Sequence, residues 1–220
     1  MIKLERQLHH DFEEPALLEQ ALTHRSVGRI NNERLEFLGD SLLNMVIAEA
    51  VYRRYPELEE GDLSRMRASL VNQESLAEIA RELLLGDYLN LGPGELKSGG
   101  YRRASILADA LEAVIGSVHL DAGFSAARNT VLELFKQRLD HPVPTEQLKD
   151  AKTRLQEWLQ ARNLELPKYT VESISGEPHK QLFTVMCLVE EPVVSSVGKA
   201  SSRRAAEQEA AQRVLERLES

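Results

Sequence analysis

Residues 33–41 read Glu-Arg-Leu-Glu-Phe-Leu-Gly-Asp-Ser and open a mainly apolar run that continues to residue 54. An ideal helix advances about 100° per residue, so Glu33, Glu36 and Asp40 fall within about 60° of one another. Leu35, Leu38, Leu42 and Val46 share the opposite side, and Leu43, Met45 and Ile47 spread further round. A helix apolar nearly all round is built to be buried. Closely spaced like charges repel, and burial strips their hydration as well. A chain keeps such a stripe only if something offsets the cost: shared protons, cationic side chains or a metal ion.

A second run repeats the design. Residues 104–121 read as a strongly apolar helix in which Asp109 and Glu112, three apart, share one face. Their neighbours are Leu107, Leu111, Val114, Ile115 and Val118. If the two helices pack together, Glu36, Asp40, Asp109 and Glu112 converge. A cage of oxygen ligands suits a hard cation such as Mg²⁺ or Mn²⁺. Such a cation beside a phosphodiester makes a hydrolysis site. The plainer alternative is a solvated acidic face or half of a salt bridge; the apolar surroundings of both stripes weigh against it. A di-iron bundle would need Glu-x-x-His, but Glu33 is followed at i+3 by Glu36 and Asp109 by Glu112. The six histidines are scattered, with His119 and His24 expected in packing, surface or capping roles. No Ser–His–Asp or Cys–His arrangement is apparent.

Helical periodicity runs through residues 1–139, with further helices expected at 14–22, 61–71, 73–85 and 125–139 and a loop at 92–100. No strand is expected there. Residues 140–148 hold two prolines and few apolar anchors, which is the composition of a linker. A helix is expected over 150–163, then strands over 168–175, 181–190 and 192–197, with Phe183, Val185, Cys187 and Val189 on one face. Residues 202–218 close the chain as a helix. The expected fold is therefore an all-α domain over 1–140, a linker over 141–148, and a small α+β domain of order α-β-β-β-α over 149–220.

The net charge of −8 argues at first against nucleic acid, but all of it lies in residues 1–147. Residues 148–220 carry 11 basic and 11 acidic side chains, with basic groups clustered at Lys199, Arg203 and Arg204. A local patch governs phosphate binding more than the total does. The single cysteine, Cys187, forms no internal disulfide and no cysteine cluster for zinc. No apolar stretch approaches the ~18 residues of a membrane span. Residues 1–12 lack the apolar core of a signal peptide. A cytoplasmic protein is expected, without membrane association or a small-molecule cofactor.

Asn32-Glu-Arg-Leu-Glu-Phe-Leu-Gly-Asp-Ser41 resembles the signature of bacterial ribonuclease III. Ala21-Leu-Thr-His-Arg-Ser26, the loop Gly92–Gly100 and the stretch Ile106–Ala113 resemble further motifs of that family, in the same order. The C-terminal 70 or so residues resemble its double-stranded RNA-binding domain. The resemblance implies a Mg²⁺-dependent endoribonuclease of double-stranded RNA, with Mn²⁺ able to substitute. Its products would carry 5′-phosphates, 3′-hydroxyls and short 3′ overhangs. Ribosomal RNA precursors and some mRNAs would be its substrates. It also implies a homodimer with one acidic site per subunit. Glu36, Asp40, Asp109 and Glu112 match the metal-binding acids, with Asp40 and Glu112 the essential pair. Glu33 and Glu60 match secondary acids, and Phe37 matches an aromatic that plugs into the partner subunit.

Double-stranded RNA is read by shape, 2′-hydroxyls and phosphates. The family pattern points to Gln156 and Gln160 on the first helix of the small domain, to His179 and Lys180 in the loop after Gly176, and to Ser202, Arg203 and Arg204 at the start of the last helix. Arginines stand at 203 and 204 where the family commonly has lysines, which keeps the charge. Arg102 and Arg103 are further candidates for phosphate contact. The competing reading is a dimeric regulator that grips RNA without cutting it. Lost acids would mark it, and every expected acid is present.

Overall fold

The computed structural model describes residues 2–177 and 179–219. Met1 and Ser220, at the ends of the expected domains, and Pro178, inside the expected RNA-contact loop, lie outside them. The chain forms two compact units, Met1–Thr145 and Glu146–Ser220. Among the described residues no helix is long and apolar enough to cross a membrane.

The first unit is helical. Its elements are α1 (Ile2–Leu8), α2 (Pro15–Ala21), α3 (Glu33–Arg54), α4 (Glu60–Leu70), α5 (Gln73–Glu82), α6 (Pro93–Lys97), α7 (Ala104–Leu134) and α8 (Lys136–Asp140). Helix α7 sits at the centre, against α2, α3 and α5. Its buried side chains Leu107, Leu111 and Ile115 join Leu43 and Ile47 of α3 and Leu76 and Ile79 of α5 in the core. Local signals set the helix limits. Pro15 and Pro93 open α2 and α6 in the first turn, where a missing N–H costs nothing. Asn72 caps α5 by accepting from the Ser75 N–H at 2.9 Å.

Two expectations for the first unit need correction. The stretch 92–100, expected as a loop, contains the five-residue helix α6. The expected break between the helices at 104–121 and 125–139 is present, but the second helix does not run unbroken to residue 139. One element runs to Leu134, broken at Gly123, where φ of 80° suits glycine, and α8 follows after Phe135. Helix α3 buries only part of the side facing away from its acids, Leu35 and Val46. Leu38 and Leu42 are only half-buried, and Met45 is 60 % exposed. The buried line is Leu35, Gly39, Leu43, Val46, Ile47 and Ala50, which brings the acidic flank to the edge of the core. The cause is a backbone contact. Gly39 lies against the carbonyl of Glu112, and Gly116 against that of Leu35, so closely that neither position has room for a Cβ. The two helices meet where both lack side chains, not where the leucines are densest.

A short helix, α9 (Thr145–Leu148), lies at the boundary of the units, within the stretch expected as a linker, and the second unit continues with α10 (Ala151–Gln160), β1 (Lys168–Ser175), β2 (Leu182–Val189), β3 (Val194–Ala200) and α11 (Arg203–Leu218). The strands form an antiparallel sheet in the order β1-β2-β3. Its core is Leu155, Leu159, Cys187, Val189, Ala210, Ala211, Val214 and Leu215. The alternation read in β2 holds for Val185, Cys187 and Val189, which are buried, while Phe183 at the start of the strand is half-buried. The third strand lies later than expected, because residues 191–193 are in a turn. Ser195, Ser196, Gly198 and Lys199 carry little strand signal, and Gly198 is needed there because a Cβ would strike the Ala206 carbonyl of α11. The architecture is an all-α unit followed by an α-β-β-β-α unit.

Candidate metal centre and nucleic-acid interface

The Gly39–Gly116 crossing decides where the acids go. Glu36 lies one turn before Gly39, and Glu112 one turn before Gly116, so both carboxyls emerge beside the contact. Carboxylate oxygens of Glu36, Asp109 and Glu112 lie within 4.8 Å of one another, and all three residues are partly buried. Asp40 stands just outside this trio, on the exposed side of α3. Its carboxylate accepts from Asn44 Nδ2 at 2.8 Å, and its backbone carbonyl accepts from the same nitrogen at 3.0 Å.

The cluster bears the electrostatic mark of uncompensated charge. Burial, and then the charges of Asp40, Asp109 and Glu36, push the Glu112 carboxyl up to about 8. Burial, together with Asp109 and Glu33, raises Glu36 against the opposing pull of Arg25. Burial also raises Asp109, while His24 and Arg25 act the other way. A divalent cation fits this donor set: hard oxygens, close together, and short of positive charge.

Glu33 is half exposed and lies 3.5 Å from Arg25. It lines a polar cavity of about 260 Å³ that adjoins Glu36 and Asp109. Glu60 is not brought to this cluster within the chain. It accepts from Ser64 Oγ at 2.6 Å and lines a separate cavity of about 360 Å³ with Ala48, Val51, Tyr52 and Leu63. Phe37 is 76 % exposed. With Met45 and Tyr52, also largely exposed, it forms an apolar stripe spanning about 80° of α3.

In the second unit, Gln156 and Gln160 are exposed on α10, each following a buried leucine, Leu155 and Leu159. Gly176, with φ of 92°, makes the turn leading to His179 and Lys180, both exposed. His179 Nε2 lies 3.4 Å from a Glu177 carboxylate oxygen. Ser202 caps α11, its hydroxyl accepting from the Ala205 N–H at 3.2 Å. Arg203 and Arg204 are both exposed; Arg203 donates to Glu207 at 2.8 Å, and the charge of Arg204 acts on Asp150. Glu207 also accepts from Lys152 at 2.6 Å, so part of the Arg203 charge is already matched.

Some residues at the site escaped the sequence reading. Asn44 carried a usable signal, since it lies four residues after Asp40 on one helix face. Arg25 and Glu95 lie in the stretches 21–26 and 92–100 that resemble family motifs, but neither was assigned to the site, because tertiary folding alone brings them to the cavity beside the cluster.

Comparison with known proteins agrees with this architecture. The family model for Ribonuclease-III-like proteins matches residues 14–139, and that for the double-stranded RNA binding motif matches residues 151–218. The Ribonuclease 3 of Vibrio cholerae serotype O1 is 56 % identical over 218 residues, spanning 99 % of this chain and 97 % of its own. The nuclease domain of ribonuclease III from Campylobacter jejuni matches with a TM-score of 0.61 at 45 % identity, over 66 % of this chain and 97 % of that one. A second structure of that domain matches with a TM-score of 0.61 at 46 % identity, over 64 % and 98 % of the two chains, and is described for flexibility in a region involved in dimer formation.

Proposed function

Because this chain belongs to the ribonuclease III family and is an endoribonuclease acting on double-stranded RNA, we propose that its cutting site is the acidic cluster between α3 and α7, loaded with Mg²⁺. The observation that carries this is the meeting of the Glu36, Asp109 and Glu112 carboxylates within 4.8 Å, all three raised by burial, and Glu36 and Glu112 by the neighbouring acids as well. When bound, the cation would supply Lewis acidity at the scissile phosphate and the means to activate water; Mn²⁺ has the same preference for oxygen donors.

The residues divide the work. Glu36, Asp109 and Glu112 hold the ion from two helices fixed by a backbone contact. Asp40, oriented by Asn44, completes the set at its exposed side and faces the substrate. Asp40 and Glu112 are the essential pair. No protein nucleophile is required. The products are 5′-phosphate and 3′-hydroxyl ends with short 3′ overhangs. Precursors of ribosomal RNA and some mRNAs are the expected substrates, in the cytoplasm.

The second unit binds the duplex. Gln156 and Gln160 donate to and accept from groups in a minor groove, His179 and Lys180 reach the next one, and Ser202, Arg203 and Arg204 take phosphate. Two copies associate through the exposed stripe of α3, with Phe37 of each entering the cavity lined by Tyr52 and Leu63 on the other. Glu33 and Glu60 then line the valley between the copies.

The test is a gel assay on a long RNA duplex in Mg²⁺, in Ca²⁺ and in EDTA. Cutting in Mg²⁺ alone, into short duplexes with 5′-phosphates, supports the reading. A mobility shift with no cutting in any divalent cation would move it to a dimeric RNA-binding regulator. The complete and assembled acid set weighs against that alternative.

A further inference from the structure

Arg102 and Arg103 are adjacent in sequence, yet the structure sends them to different places. Arg102 stands over the Tyr101 ring, 5.0 Å from its centroid, and lines a cavity with Arg81, Leu84 and Asp87. Arg103 lines the polar cavity beside the acidic cluster, together with His24, Arg25, Glu36, Glu95 and Asp109. Glu36 and Asp109 belong to both the cavity and the cluster, so the two are continuous.

We propose that Arg103 is a positioning residue for the cutting reaction, holding a backbone phosphate of the cut strand in this cavity, next to the scissile one. The inference rests on the nuclease reading above and assigns a residue that reading leaves without a role.

Arg103 is already aimed. One terminal nitrogen pairs with Glu95 Oε2 at 3.0 Å, and the other donates to Ser98 Oγ at 3.3 Å. A guanidinium has five N–H donors in a planar fork, so these two contacts fix its plane and leave donors for phosphate oxygens. Fixing it beforehand lowers the ordering cost of binding. The loop is shaped for this purpose. Gly99, with φ of 77°, turns the chain back, and a Cβ on Gly100 would press on the Glu95 carbonyl at 3.0 Å and its carboxylate at 3.1 Å. By contrast, Arg25 is 70 % exposed and only 3.5 Å from Glu33, a loose pairing. Once a cation occupies the cluster, Glu36 and Asp109 are compensated. The remaining cations of the cavity, Arg103 and Arg25, are then opposed only by their partners Glu95 and Glu33, so a phosphate there meets guanidinium donors without the repulsion of the cluster.

The experiment is a cycle between protein and substrate. Duplexes carry one neutral methylphosphonate at each linkage within about three of the cut, and binding is measured in Ca²⁺, where no cutting is expected. At one linkage, neutralisation should weaken wild-type binding about tenfold and have almost no effect on Arg103→Gln. Arg103→Lys should keep part of the sensitivity, and it also serves if the Gln variant fails to fold. Arg102→Gln should keep all of it. Equal losses in wild type and Arg103→Gln at every linkage, or loss of the sensitivity in Arg102→Gln instead, would overturn the proposal. A wild-type protein that does not cut unmodified duplex in Mg²⁺ overturns the nuclease reading, and this one with it. Cutting combined with purely additive losses overturns only the role of Arg103.

Discussion

Gly39 of α3 and Gly116 of α7 face each other across a helix crossing with no side chain between them. The backbone N–H of Gly116 lies 3.0 Å from where a Cβ on Gly39 would be, and the Glu112 carbonyl is closer still. Both helices carry their acids one turn away. The separation of the carboxylates is therefore set by backbone against backbone, which yields less than side-chain packing does.

A methyl group at that crossing should be costly. Gly39→Ala is expected to destabilise the protein by about 3 kcal/mol or more, at or above the usual cost of overpacking, because the atom it meets is backbone. Urea unfolding measures the loss. Any folded fraction should bind divalent cations more weakly, since the helices must part. A wild-type urea midpoint in this variant would mean that the crossing is looser than described.

Chemistry and binding should separate at the acids. Asp40→Asn and Glu112→Gln are each expected to reduce cutting by at least about 10³-fold. Both should bind a duplex in Ca²⁺ within about threefold of wild type, because duplex affinity rests chiefly on phosphate contacts made elsewhere. Single-turnover rates and a gel shift read the two quantities independently. Loss of binding without loss of the chemical step would refute the assigned roles.

The raised Glu112 carboxyl gives a pH signature. Protons and cations compete for this group, so apparent cation affinity should climb as pH rises to about 8 and then level off. Uptake near pH 7 should release protons, which calorimetry in buffers of different ionisation heat detects. Without cation the sign for stability is the reverse. A carboxyl whose folded pKa is raised favours the folded state below its ordinary range, and this contribution is lost as pH rises towards about 8. Glu112→Gln should flatten that part of the melting temperature profile.

Asp121 makes the opposite case. Burial opposes its ionisation, but the Glu14 N–H, the His10 ring and the Glu13 N–H together hold it below the usual aspartate range. Its contribution to stability is present above that range and disappears as pH falls through the lowered value. Asp121→Asn should cost about 1–3 kcal/mol at pH 7, loosening the segment between α1 and α2 from α7. Stability should then depend less on pH in the acid range, as a denaturant series from pH 3 to about pH 7 would show.

The α3 stripe predicts the oligomer. Phe37→Ala should shift sedimentation at micromolar concentration towards monomer while leaving helix content unchanged, because the ring is exposed within its own chain. An unchanged sedimentation coefficient would remove Phe37 from the interface.

Much of this protein was legible in its residue order. Two apolar helices with acids at i, i+3 and i+4 spacing, the alternation of Val185, Cys187 and Val189, and the change of pattern after Pro144 are local periodicities, and local periodicity follows from backbone geometry alone. Which face of α3 turns inward was not legible. The leucines favoured one side, but the glycine contact with α7 rotated the helix by joining two positions 77 residues apart. The limits of β3 depended on Gly198 meeting α11, and the partition of Arg102 from Arg103 on a carboxylate across a glycine turn. Tertiary structure decided these points because close approach and charge pairing depend on the distance between elements, and no periodicity within one element encodes that distance.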